Sequence, residues 1–259
     1  MAVDILERAI INCRGIVATP APRVAVKSIT GACGEFEMTF FVEELSSALE
    51  AQNELFDLIF RHLTVAGIDL ASPQILLTQV DRDQTSAKSR SQPEIVLELV
   101  AIFSALTCSE RAALAAKLRQ HSYDNGDTLL QPGTLLQSLF FIGSGVVSLA
   151  REEMEGEREL LRLGPGDHFG EIGLLTGAPS NATITALTPV VAYELAKADL
   201  APVLEARSEV AQELSRALAR RQATSRGTAT EFDATVPASG LTKWFSERIH
   251  RLYNLASAE

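Results

Sequence analysis

Cysteine is scarce in these 259 residues: Cys13, Cys33 and Cys108 are the whole set, scattered and without a C-x-x-C pair. An odd, dispersed set supports neither a disulfide framework nor a structural zinc site, and a reducing compartment follows. Each thiol is expected to be a small buried apolar residue. Basic charge is also short: 23 Lys and Arg stand against 33 Asp and Glu, a net charge of −10. General binding to nucleic acid phosphates or to anionic lipid is therefore not expected. No run approaches the roughly 20 apolar residues that span a bilayer. The opening MAVDILERAI lacks the cationic start and apolar core of a signal peptide. These absences predict a soluble, cytoplasmic chain.

Histidine is rare as well. His62, His121, His168 and His250 lie in different segments without metal-ligand spacing. There is no G-x-S-x-G elbow and no nucleophile with an evident base, so no catalytic residue, metal or cofactor is assigned. His62 and His250 sit in amphipathic segments and are expected at the surface; His168 precedes a glycine-rich stretch and is expected near its pocket. What remains is ordinary globular material, 46 % hydrophobic and 22 % charged, with length for about two domains.

Residues 1–80 read as α-β-β-α-β. Asp4 and Glu7 have the spacing of a capping box for a helix reaching Cys13. A strand over Arg23–Ile29 follows Pro20 and Pro22, and Phe36, Met38, Phe40 and Val42 alternate with polar residues as in a half-buried strand. From Glu44 the period turns helical. Leu45, Leu49, Leu55, Phe56, Ile59, Phe60 and Leu63 share one face, up to a stop at Gly67. A last strand follows Pro73, over 74–80. The fold expected is a ferredoxin-like α/β domain. It has too few residues before its first helix for the strand that would flank 75–80. The exposed edge predicts self-association into a homo-oligomer through residues 1–80.

Residues 81–93, DRDQTSAKSRSQP, read as a linker. Residues 94–222 begin helically to about Gln120, with a break at Thr107, where T-x-x-E to Glu110 is a second capping box. Glycines at 126, 133, 143, 145, 164, 166, 170, 173 and 177 then separate short apolar runs. Strands are predicted at 139–142, 146–150, 182–187 and 190–195, as in a jelly roll. Helices close it at 197–206 and 208–221. Residues 223–240 read as a flexible tether, and 241–259 as an amphipathic helix carrying Trp244, Phe245, Ile249 and Leu252 on one face, expected to dock rather than float. The fold class is thus α+β: a ferredoxin-like domain, a jelly roll with flanking helices and a C-terminal helix. Residues 241–259 hold only one helix, with Lys243, Arg248 and Arg251 against Glu247 and Glu259, too little for a DNA reader, so no nucleic acid partner is expected.

The most informative stretch is LGPGDHFGEIGLLTGAPSNATITA, residues 163–186. Gly170 opens a short predicted helix whose first amides have no carbonyl partner of their own, an anion site in outline. Glu171 beside it is an odd neighbour for an anion unless it accepts hydroxyl protons, as from a ribose. A Gly-rich turn without any ligand fits the same residues.

From about Phe103 to Gln222 the chain resembles the cyclic-nucleotide-binding domains of cyclic-AMP receptor proteins, kinase regulatory subunits and gated channels. The matching residues are Gly126-Asp127, Gly133, Leu139–Ile142, Gly145, Gly164–Asp167 and Phe169-Gly170-Glu171-Ile172-Gly173-Leu174-Leu175. The resemblance implies a binding site made of Phe169, Gly170, Glu171, Ile172 and Gly173 with Ser180, Asn181, Ala182 and Thr183. Gly170 and its neighbours would hold the cyclic phosphate of cyclic AMP or cyclic GMP, and Glu171 the ribose 2′-hydroxyl. The family's Pro-Arg pair, whose Arg clamps the phosphate, is Pro179-Ser180 here, which implies weak or lost binding. Arg162 is the candidate to replace the missing cation. ATPAPRVAVKSI, EFEMTFFVEEL and FRHLTVAGIDL resemble the C-terminal cytoplasmic part of small-conductance mechanosensitive channels, and WFSERIHRLYNL resembles the end of such chains. Some bacterial members append a cyclic-nucleotide-binding domain. The implied role is regulatory and non-catalytic, at the cytoplasmic face of a membrane channel portion. The alternative is an interaction module with an empty pocket.

Overall fold

A computed structural model of the chain describes residues 1–30, 33–71, 91–153, 156–207, 210–213 and 215–216, apart from the side chains of Ile172, Leu175 and Thr176. The chain forms two compact units, Met1–Ile95 and Val96–Glu259.

In the first unit, α1 (Ala2–Asn12) is followed by a hairpin of β1 (Arg23–Ile29) and β2 (Gly34–Thr39), a 3-10 turn (Leu45–Ser47) and α2 (Ala48–Val65). The strands pair antiparallel from Arg23 opposite Thr39 to Ile29 opposite Gly34. Leu6, Ala9, Ile10 and Cys13 of the first helical segment pack with Leu55, Leu58, Ile59 and Leu63 of α2, and Val24, Phe36 and Met38 lean on this cluster from the sheet. Burial and the Glu54 carboxylate, 3.3 Å from the Cys13 Sγ, push that thiol up to about 12. The strand expected at 74–80 lies outside the described residues.

Four expectations change here. Helix α1 starts at Ala2, so Asp4 sits inside its first turn and caps nothing. Leu45, Leu49, Phe56 and Phe60 are exposed, while Ala51, Leu58 and His62 join Leu55, Ile59 and Leu63 on the buried face. The apolar residues of α2 form two stripes, and the tertiary contact with α1 selects one of them. His62 is buried, not superficial, because it falls on that selected stripe. Of the cysteines only Cys13 is buried; Cys33 and Cys108 are exposed.

Helix α3 (Gln92–Leu99) begins inside the segment read as linker, with Pro93 in its first turn, where the missing amide proton costs nothing. In the second unit a 3-10 turn (Ala101–Phe103) leads to α4 (Cys108–Ala115). Thr107 and Glu110 form the reciprocal capping box that the T-x-x-E spacing predicts. Helix α4 ends earlier than expected: Arg119–Tyr123 is the strand β3, not a continuation. The further strands are β4 (Thr128–Leu130), β5 (Ser138–Ser144), β6 (Val147–Glu153), β7 (Gly156–Leu163), β8 (His168–Phe169), β9 (Thr183–Ala186) and β10 (Val190–Ala196), with α5 (Glu171–Thr176) between β8 and β9 and α6 (Lys197–Ala206) after β10.

The strands make two antiparallel four-stranded sheets, ordered β3-β10-β5-β8 and β4-β9-β6-β7, the two layers of a jelly roll. Leu130, Ile142, Val147, Leu163, Phe169, Ile184, Ala186, Val190 and Ala192 form the core. The crossing from β5 in one sheet to β6 in the other turns on Gly145 at φ +85°, where a Cβ would stand 2.2 Å from the Pro189 oxygen. Arg207 grips the Glu110 carboxylate through Nε at 2.9 Å and Nη2 at 2.8 Å, joining the start of α4 to the end of α6.

Candidate functional site

The glycine-rich stretch is assembled around β8. In the turn before it, the Asp167 carboxylate accepts from the Gly164 amide at 2.9 Å, and the Ile142 amide donates to the Asp167 carbonyl at 2.9 Å. The turn is thereby laced to β5. Phe169 is buried and stacks on Phe140 of β5, ring centroids 5.0 Å apart and planes within 6°. His168, half-buried, lies tilted against Phe141 at 6.5 Å.

Gly170 is the N-cap of α5 at φ +93°, and a Cβ there would lie 2.5 Å from the Ser138 carbonyl oxygen. Only glycine fits both conditions. The Gly170 carbonyl accepts from the Leu174 amide at 3.0 Å. The amides of Glu171, Ile172 and Gly173 are first-turn donors with no carbonyl of the helix to serve. Glu171 is 3 % exposed, an unusual burial for a carboxylate next to such amides. Gly173 presses on Leu136, whose carbonyl oxygen would be 3.0 Å from an added Cβ.

The second half of the predicted site is a loop folded on itself. The Ser180 hydroxyl donates to the Ala182 carbonyl at 3.0 Å and accepts from the Ala182 amide at 3.2 Å. The Ser180 backbone is held too: its amide donates to the Thr134 carbonyl at 2.8 Å and its carbonyl accepts from the Gly133 amide at 2.7 Å. Asn181 is exposed, Ala182 is buried, and Thr183 begins β9.

The segment 131–137 was not among the residues singled out as binding. It touches both halves, through Leu136 at the glycine turn and through Gly133 and Thr134 at Ser180. Its one readable signal is Pro132-Gly133, a turn dipeptide between two strand-like runs.

Arg162 does not stand in for a clamp. It lies between Leu161 and Leu163, both packed on the core, so the strand period turns it to the opposite face of its sheet. There its Nε donates to the Glu159 carboxylate at 2.9 Å, and Ser148 donates to the other oxygen of Glu159 at 2.9 Å. A separate polar group ties β3, β5 and β10 together behind Gly170. Ser138 donates to Glu194 at 2.7 Å, and His121 Nε2 is 2.9 Å from the other oxygen. The Ser138 bond, with His121 second, holds the Glu194 carboxyl below its usual range. Ser138 and His121 both address the Glu194 carboxylate, an arrangement that braces the three strands. Among the described residues no group of three or more His, Cys, Asp or Glu is placed to hold a metal, and no helix is long and apolar enough to cross a membrane.

Residues 120–207 match the family model described as the cyclic nucleotide-binding domain. The type II regulatory subunit of cAMP-dependent protein kinase from Drosophila melanogaster is 34 % identical over 108 residues, 42 % of this chain and 29 % of that protein. A CRP-like cAMP-activated global transcriptional regulator from Mycobacterium tuberculosis is 32 % identical over 127 residues, 49 % of this chain and 57 % of that protein. The chain thus spans less than two thirds of the length of either relative. Among solved structures, the N-terminal domain of a transcriptional regulator from Streptomyces coelicolor A3(2) is similar, with 36 % identity, coverage of 52 % of this chain and 98 % of that one, and a TM-score of 0.42. The matched segment runs from β3 to the residue after α6, so the jelly roll of the second unit is a cyclic nucleotide-binding domain.

Proposed function

We propose that the chain is a non-catalytic regulatory protein whose jelly roll keeps the shape of a cyclic-nucleotide pocket while holding the nucleotide weakly. The observation carrying this reading is the state of Ser180. Its hydroxyl is closed onto Ala182 and its backbone is clasped by Gly133 and Thr134. A neutral hydroxyl already engaged in its own loop supplies no charge to a cyclic phosphate, whereas a guanidinium supplies a charge and paired donors. Losing one partner of a buried charge pair costs roughly 2–5 kcal/mol, a ~30-fold to several-thousand-fold loss of affinity. The first-turn amides of α5 and the buried Glu171 remain to address phosphate and ribose. In this reading Phe169, Gly170, Glu171, Ile172, Gly173, Asn181, Ala182 and Thr183 line or support the pocket. The first unit and the end of the chain derive from the cytoplasmic part of a mechanosensitive-type channel, so the domain regulates a channel portion. That assignment rests on the sequence resemblance alone.

Titration calorimetry of the full chain against cyclic AMP and cyclic GMP tests the reading. The expected result is binding no tighter than about tens of micromolar, improved at least ~10-fold in Ser180→Arg. Submicromolar binding by the unaltered chain, or no gain in a Ser180→Arg variant with an unchanged circular dichroism spectrum, refutes it. Heat in neither protein favours an interaction module with an empty pocket.

A further inference from the structure

Along β6, Val147 and Leu149 turn to the core, so the strand period turns Arg151 to the same face. Ser148 lies on the opposite face, where it meets Glu159 beside Arg162. An arginine on the core side of a strand is unusual, because a guanidinium is costly to take out of water. Arg151 is nevertheless half-buried, and its Nε is sealed from solvent. Phe169, next to the glycine turn, and Ile184, just past the serine loop, belong to the core on this side. Both halves of the pocket therefore border the face from which Arg151 projects.

The register brings that arginine beside Ser180. In the β6–β9 pair Ser148 stands opposite Thr185, Leu149 opposite Ile184 and Ala150 opposite Thr183. One further step along the same antiparallel pair sets Arg151 alongside Ala182, whose carbonyl and amide hold the Ser180 hydroxyl. Neighbouring strands run about 4.8 Å apart and two extended residues cover about 7 Å, so the α-carbons of Arg151 and Ser180 are at most about 8 Å apart. The long arginine stem spans most of that gap. Ala182 is buried and puts only a methyl group between them.

On its other side Arg151 stands directly opposite Arg158 of β7. Like charges so placed repel, and Arg158 is offset by Glu153, 3.6 Å from its Nη1. The repulsion favours an Arg151 side chain that leans toward β9 and the serine loop.

We propose that Arg151 is a binding residue of this pocket, its guanidinium giving the cyclic phosphate the positive charge that Ser180 does not. This role presupposes the pocket reading given above and names the cation that keeps binding weak instead of lost. Arg151 already interacts within the protein, so recruiting it to a ligand exchanges one contact for another. The charge-assisted contact is thus a partial substitute for a guanidinium at position 180. A ligand with the same base and sugar but no phosphate gains nothing from it.

NMR titration of the isotope-labelled full chain with cyclic AMP, up to about 10 mM, is the test, with adenosine as the ligand lacking phosphate. The proteins are the unaltered chain, Arg151→Met, Ser180→Arg and the double variant. Arg151→Met keeps an apolar stem and removes the charge; cyclic AMP affinity should fall at least ~10-fold, and adenosine affinity should change less than about two-fold. In the Ser180→Arg background the same change should weaken binding less than about three-fold, because the new guanidinium takes over the charge. In the unaltered chain the Arg151 Nε–Hε resonance should shift with cyclic AMP and stay in place with adenosine. Weak binding that gains from Ser180→Arg but loses nothing in Arg151→Met overturns the role of Arg151 and leaves the weak-pocket reading standing. Submicromolar binding that Arg151→Met abolishes does the reverse. An equal loss for cyclic AMP and adenosine also overturns the role, since a general disturbance of the pocket produces it. No perturbation by cyclic AMP in any of these proteins overturns both. If Arg151→Met alters the spectrum of the free protein, the Nε–Hε resonance of the unaltered chain decides, and one that does not move with cyclic AMP refutes the proposal.

Discussion

Acid should loosen the first unit through His62. Its ring is 4 % exposed, among α1 and α2 side chains, and Nε2 is buried with no hydrogen-bond partner among the described residues. Burial, with the Arg61 and Arg8 guanidinium groups adding repulsion, lowers this imidazole from 6.5 to about 3. The folded value lies below the unfolded one, so the unfolded chain takes up the proton first as pH falls. The stability contributed by the neutral ring is complete above pH 6.5 and is lost progressively down to about pH 3. At about 1.4 kcal/mol per unit, the loss is about 2 kcal/mol at pH ~5 and approaches about 5 kcal/mol at pH ~3. Two kilocalories is a large share of a small unit's stability. Hydrogen exchange read by mass spectrometry on peptides of α1 and α2 isolates this unit, after correction for intrinsic exchange. Protection there should fall about 30-fold between pH ~7 and ~5 in the unaltered chain. In His62→Leu, which keeps the volume and removes the titrating group, the fall should be within about threefold, any remainder coming from carboxylates. An equal fall in both proteins, or a His62 titration by NMR near its ordinary value, would refute the reasoning.

The remaining expectations concern the second unit. Gly170→Ala forces a side chain into φ +93° and against the Ser138 oxygen; urea unfolding of the full chain should show a loss of at least about 2 kcal/mol in the jelly-roll transition, and a loss below about 0.5 kcal/mol would contradict the geometry. Glu110 is lowered from 4.5 to about 2, first by the Thr107 hydroxyl, then by the Thr107 amide and by Arg207. Its stabilising contribution is therefore complete above 4.5 and disappears toward pH 2. NMR titration should show Glu110 rising further in Thr107→Val than in Arg207→Ala, and the reverse order would assign the shift to the ion pair.

Local signals that depend on a few neighbouring residues were legible without the fold. The capping box at Thr107 and Glu110, the strand Arg23–Ile29, the helix 197–206 and the helix start at Gly170 all follow from caps, period or glycine spacing. Strand β7 escaped because GERELLRL has polar groups on both faces over its first half, and an edge strand half in water needs no clean alternation. Strand β3 escaped because Arg119–Tyr123 is polar and continues a helical run; its pairing with β10 decides it. The lengths of β4 and β8, three and two residues, fall below anything periodicity can register.

The sequence by itself determined where the chain could turn, which residues could cap, and that the phosphate clamp of its resemblance is a serine at position 180. Those are properties of single residues and short spacings. Only the tertiary structure decided between alternatives that are locally equal. Helix α2 offers two apolar stripes, and contact with α1 buries the one containing His62, leaving Leu49, Phe56 and Phe60 to solvent. Arg162 could be imagined reaching a pocket until the pairing of β6 with β7 put Leu161 and Leu163 inward and the arginine outward beside Glu159. The Ser180 hydroxyl turns onto Ala182 because Gly133 and Thr134, some 46 residues earlier, hold its backbone. Facing and closure are set by which surfaces meet, and residues distant in the chain supply those surfaces.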